Sequence, residues 1–194
     1  METDILVTWI SMCSVMLAVA IGIGISSGNN WYFIFIDKFN RLSLARLQIT
    51  LWSFLLISLI LSIALLKQTM NIVIAQELWA LLGISVGSKA GSIAIESAKN
   101  KNGNLHVRLE SKSPSLLDLF MGEESTDHEY IDIGKFQMFW FTIAVFVGYI
   151  WILLDWDVQP NQAGEYVLPV MHGGLLVILA ISHAGYIVMK ATPK

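Results

Sequence analysis

The chain is poor in charge, in cysteine and in proline. Only 14% of its 194 residues are Asp, Glu, Lys or Arg, against about 25% in an ordinary soluble domain. That is too little to cover a water-soluble surface. The single cysteine, Cys13, excludes an intrachain disulfide framework; set in an apolar run, it reads as an unreactive small side chain. A net charge of −3, with basic residues scattered, offers no footprint for nucleic acid. No glycine-rich phosphate loop, nucleophile elbow or zinc-ligand pair is present. The apolar runs also lack a central acid. These absences argue against an enzyme, and neither a cofactor nor a metal is expected.

What is abundant is apolar sequence, 55% of the chain. Residues 5–25 carry no formal charge, enough to cross a hydrocarbon core of ~30 Å as a helix. Glu2 and Asp4 precede this run where a signal peptide has basic residues, so a retained span is expected. Further spans are read at 47–66, 72–95, 136–154 and 166–189. The third has Glu77 and Lys89 near its ends and a short uncharged centre, which leaves a re-entrant segment as its alternative. Residues 31–36 are aromatic and too short to span, an interfacial signature. Ser43 and Asp132 sit where helix caps are wanted. The polar stretch from 96 to 132 predicts a short strand at 105–110, a short apolar helix at 116–121 and an acidic linker.

Two segments resemble each other within the chain. Arg46, Gln48 and Trp52 recur as Lys135, Gln137 and Trp140 near an offset of 89, and Gly83-Ile-Ser85 recurs as Ala180-Ile-Ser182 at 97. The expected fold is an all-α integral membrane protein with about five transmembrane helices. It comprises an N-terminal helix with its interfacial segment (1–42), two parallel helix-pair repeats (43–95 and 132–194) and a small cytoplasmic insertion (96–131). Eleven of the twelve Lys and Arg residues then fall on one side, with only Lys67 on the other. The positive-inside rule makes that side the cytoplasm, placing the N-terminus outside and the C-terminus inside.

Each candidate site has a plain structural reading beside it. Gly83, Gly87 and Gly91 at four-residue spacing, with Ala180 and Ala184 as a weaker second copy, suit close helix packing or oligomerisation. Arg46, Gln48, Lys135 and Gln137 form an expected polar ring at one membrane depth, with Gln48 and Gln137 expected to pair. Ser85, Ser88, Ser182 and His183 are the best candidates to line a pore or ligand cleft. His172 and His183, eleven residues apart, lie about 16 Å apart along a helix and cannot share one metal. Residues 127–129 (Asp-His-Glu) with Asp132 have metal-ligand types but no defining spacing. Leu105, Val107, Leu109, Leu116 and Phe120 are expected to face a cytoplasmic partner.

The residues Asp37, Asn40, Arg41, Ser43, Arg46, Gln48 and Trp52, then Leu82-Gly83-Ile-Ser85, Ser115 to Glu123, and Gly134-Lys135-Phe-Gln137 to Trp140 also carry a resemblance. The pattern resembles a poorly characterised family of bacterial multi-pass membrane proteins with a duplicated helix pair. That resemblance implies a bacterial inner membrane and carries no activity. Two functions follow as expectations. One is a non-enzymatic oligomeric platform, sensor or anchor, embedded in the lipid bilayer and engaging a cytoplasmic protein through 96–132. The other is a small oligomeric ion channel or membrane-permeabilising effector, for example in bacterial defence.

Overall fold

In the computed structural model, residues 1–28, 30–101, 113–123 and 128–192 are described. Five helices dominate: α1 (Thr3–Ser26), α2 (Leu44–Lys67), α3 (Gln76–Lys101), α4 (Ile133–Asp155) and α5 (Gly173–Ala191). All five are long and apolar enough to cross a membrane, the pattern of a helical membrane protein. The third runs unbroken for 26 residues, about 39 Å at 1.5 Å per residue. It therefore has no break at which a re-entrant segment would turn. The expected strand at 105–110 lies outside the described residues.

Two starts differ from expectation. Residues 72–73 and 166–167 are strands β1 (Ile72–Val73) and β2 (Tyr166–Val167), paired in parallel with Ile72 opposite Tyr166. The fourth loop therefore delays α5 to Gly173. Pro169 fits the later start, because it disfavours helix at the residue before it and has no N–H to donate. Of the two expected caps, Asp132 accepts from the Lys135 amide at 3.1 Å. The Ser43 side chain makes no cap bond, although its backbone is extended as at a cap. At α5 the cap is His172, whose Nδ1 accepts from Gly174 N–H at 3.2 Å.

The core forms where α2 meets α3 and α4, with α1 lying along α2 and α5 packed against both α3 and α4. Trp52, Leu55, Leu59 and Ile63 of α2 meet Tyr149 and Leu153 of α4, and Ile5 and Trp9 of α1 close the side. Trp52 meets Phe146 edge to face at 5.3 Å. A regularity runs through these contacts. Gln48 touches Thr142, Trp52 touches Phe146, Ile72 pairs with Tyr166 and Glu96 meets Lys190, each pair 94 residues apart. Leu44, Gln48, Leu55 and Leu59 are buried, and so are Met138, Thr142, Tyr149 and Leu153 at that same spacing. The offset of 89 instead sets buried Gln48 against exposed Gln137, and exposed Arg46 against buried Lys135.

Candidate functional site

Polar side chains gather where α3 faces α5. Ser85, Ser88, Ser92 and Glu96 follow one another at three- and four-residue steps, so one face of α3 carries them all. His183, Tyr186 and Lys190 do the same on α5. The Ser88 hydroxyl lies 3.1 Å from the Ser85 carbonyl and 2.8 Å from His183 Nδ1. With the hydroxyl proton directed at the carbonyl, Nδ1 is the protonated ring nitrogen and donates to Ser88. Nε2 is then the acceptor, and it has no partner in a residue only 3% exposed. Ser182 Oγ is likewise buried without a partner.

Below this pair, toward the end of the bundle that carries most of the cations, lies a charged cluster. Lys190 Nζ donates to Ser92 Oγ at 2.5 Å and to Glu96 at 2.7 Å, and it reaches Tyr186 Oη at 3.4 Å. Lys135, from the first turn of α4, donates to the Met121 carbonyl at 2.8 Å. One carboxylate joins the two lysines: Glu123 takes Lys135 through Oε1 at 3.0 Å and Lys190 through Oε2. Both lysines are buried, at 5% and 8% exposure. Withdrawing such charges from water costs several kcal/mol per ion, so each needs its counter-ion.

Glu123 is held in place by the segment before it. Residues 116–119 form a 3₁₀ turn capped by Ser115, whose side chain accepts from Leu117 N–H while Asp118 accepts from Ser115 N–H. Asp118 also accepts from Leu42 N–H at 3.3 Å, and Arg41 donates to the Gly122 carbonyl at 3.4 Å. Phe120 packs its ring against Phe139 at 5.0 Å and Phe136 at 5.9 Å. The bridge between Met121 and Ile131 closes the loop. Beside Glu123 is a cavity of about 10 Å³, enough for roughly one water, lined by Ser43, Ser88, Lys89, Ser92, Lys135 and Tyr186.

The expected sites fall as follows. Ser85, Ser88, Ser182 and His183 are brought together inside the bundle. Gly83 and Gly87 face outward with open space where a Cβ would stand, whereas Gly91 packs on Ile187. Ala180 is half-buried and Ala184 exposed. Arg46 and Gln137 are exposed while Gln48 and Lys135 are buried, so the four do not form a ring. Gln48 donates to Thr142 Oγ1 at 2.6 Å instead of pairing with Gln137. Leu116 is exposed and Phe120 turned inward; Leu105, Val107 and Leu109 lie outside the described residues, as does residue 127. Among the described residues no three His, Cys, Asp or Glu side chains converge on a metal position.

Sequence reasoning missed Glu96, Glu123, Tyr186 and Lys190. Glu96 read as the start of a polar stretch and Lys190 as a helix end. The four-residue step Ser88, Ser92, Glu96 was the available signal. No protein-family model matches this sequence, and no curated protein or solved structure is significantly similar to it. The resemblance to a bacterial membrane-protein family therefore rests on its quoted residues alone.

Proposed function

We propose that this chain is a non-enzymatic, oligomeric membrane platform built on a duplicated helix pair. The observation that carries the reading is the outer face of α3. Gly83, Gly87, Ala90, Ala94 and Ala98 recur at three- and four-residue steps and are all exposed. In lipid, where burial of apolar surface gives no drive, such small residues let a second helix approach closely enough for backbone packing. Meanwhile Ser88, Ser92 and Glu96 of α3 are turned to α5 and bond His183 and Lys190 within the protomer. The duplication is supported by contacts at a spacing of 94 and by the parallel pairing of β1 with β2. Equivalent strands run parallel when the relating axis lies along them, here along the membrane normal.

Charge distribution supports an inner-membrane orientation with the N-terminus outside. The docked segment, with Leu116 and Leu117 exposed, then faces the cytoplasm as the partner-engaging surface. Replacing Gly83 and Gly87 with leucine tests the platform. The fold should survive, because open space surrounds both, and the oligomer seen by native mass spectrometry in detergent should fall apart. An unchanged oligomer with both leucines in place sinks this reading. The channel alternative draws on the unpartnered Ser182 Oγ and His183 Nε2; ion flux in liposomes that disappears on substituting His183 would favour it.

A further inference from the structure

Glu123 belongs to neither helix whose lysine it binds. It arrives on the docked segment, and the Lys135 ammonium meets the Met121 carbonyl and Glu123 on that same segment. Withdrawing the segment therefore strips Lys135 of its acceptors. Lys190 then keeps Glu96 and Ser92. Two buried ammonium groups would face a single carboxylate. Further donors surround them. Ser43, Ser92 and Tyr186 line the cavity as well, and the first turn of α2 meets it with no side-chain cap on its free amides. Such a cradle has an excess of cations and donors over acceptors once Glu123 leaves.

We propose that this cradle is an oxyanion-binding site in which Glu123 is the chain's own exchangeable ligand, so that a phosphate-type oxyanion and the docked segment compete for Lys135 and Lys190. A phosphate group offers two oxygens from one centre, as the carboxylate does, and a third for the serine hydroxyls. The inference stands apart from the platform reading, since it needs neither an oligomer nor a protein partner.

The test uses the full chain in neutral detergent at constant ionic strength. Glu123→Ala should lower Tm, and inorganic phosphate should restore it saturably. The expected gain is roughly 5–10 °C at a hundred times the dissociation constant, while chloride does nothing comparable. Adding Lys135→Met to that variant should abolish the gain, because Lys190 and Glu96 then balance. Glu123→Gln, which keeps the shape and removes the charge, is measured alongside and gives the same readout if the alanine variant does not fold. In wild type, phosphate should speed hydrogen exchange at the amides of 117–122. Recovery in phosphatidic acid vesicles without added phosphate identifies a lipid headgroup as ligand, and recovery only with soluble phosphate identifies the free ion. Equal effects of phosphate and chloride on both variants, or a phosphate gain that survives Lys135→Met, overturn the proposal.

Discussion

The Gln48–Thr142 contact offers a sharp test of how a buried amide behaves in this bundle. Gln48 is 1% exposed, its Nε2 donates to Thr142 Oγ1 at 2.6 Å, and its Oε1 has no partner. The Thr142 hydroxyl in turn donates to the Met138 carbonyl at 2.8 Å, a group its own helix also uses. Thr142→Val removes the acceptor and leaves an amide with both ends unsatisfied. Orphaning a buried donor costs about 1–3 kcal/mol, whereas interhelical bonds in membranes average about 0.6 and reach about 1.7 kcal/mol. The expected loss is therefore about 1 kcal/mol. Gln48→Leu removes the donor together with the orphaned oxygen and should stay within about 0.5 kcal/mol of wild type, since replacing polar groups by apolar ones of similar shape is nearly neutral. The double variant should match Gln48→Leu, so the cycle should report coupling near 1 kcal/mol. Unfolding in detergent mixtures of rising SDS fraction measures all four proteins. A Thr142→Val penalty that persists undiminished in the Gln48→Leu background refutes the reasoning.

Two further outcomes follow from local geometry. Gly24→Ala places a Cβ 2.8 Å from the Asn30 carbonyl oxygen and 3.3 Å from Phe33 Cβ, so it should cost about 1–3 kcal/mol through backbone displacement. Gly22→Ala meets nothing within 4 Å and should leave Tm unchanged or slightly raised; equal losses at both positions would contradict the close approach. Lys67→Ala breaks the 2.8 Å pair with Glu2, an exposed tie worth under about 1 kcal/mol. Its loss should shrink further in high salt, and a salt-independent drop above that size would point to packing by the lysine stem instead.

The spans were legible because hydrocarbon thickness demands about twenty apolar residues, and composition alone reveals such runs. Their outer ends were less so. Tyr166 and Val167 are as apolar as the helix that follows, and only the pairing with Ile72 and Val73 turns them into a strand. The glycine spacing on α3 was visible, yet spacing cannot say which way a face points. Gly83 and Gly87 proved to look outward because Ser85, Ser88 and Ser92 claim the side facing α5. The charged cluster was the least legible. Lys190 and Glu123 meet only after residues 113–123 dock through Asp118, Arg41 and Phe120, and no local pattern announces that docking.

The difference between an offset of 89 and a contact spacing of 94 has a physical reading of its own. On the duplicated reading, an axis along the membrane normal makes equivalent positions neighbours at the centre of the bundle. Neighbours are selected to complement, not to copy: two glutamates at the places of Glu96 and Lys190 would repel each other out of water, and two tryptophans at the places of Trp52 and Phe146 would overfill the gap. Gln48 with Thr142, Trp52 with Phe146 and Glu96 with Lys190 are therefore unlike pairs at a spacing of 94. Comparison by identity passes over them and settles on like residues such as Gln48 and Gln137. Those two do not meet, since one is buried and the other exposed. In a bundle of this kind the internal repeat is easiest to see where it matters least to packing. On that reading the axis is marked by pairs of opposite or interlocking character.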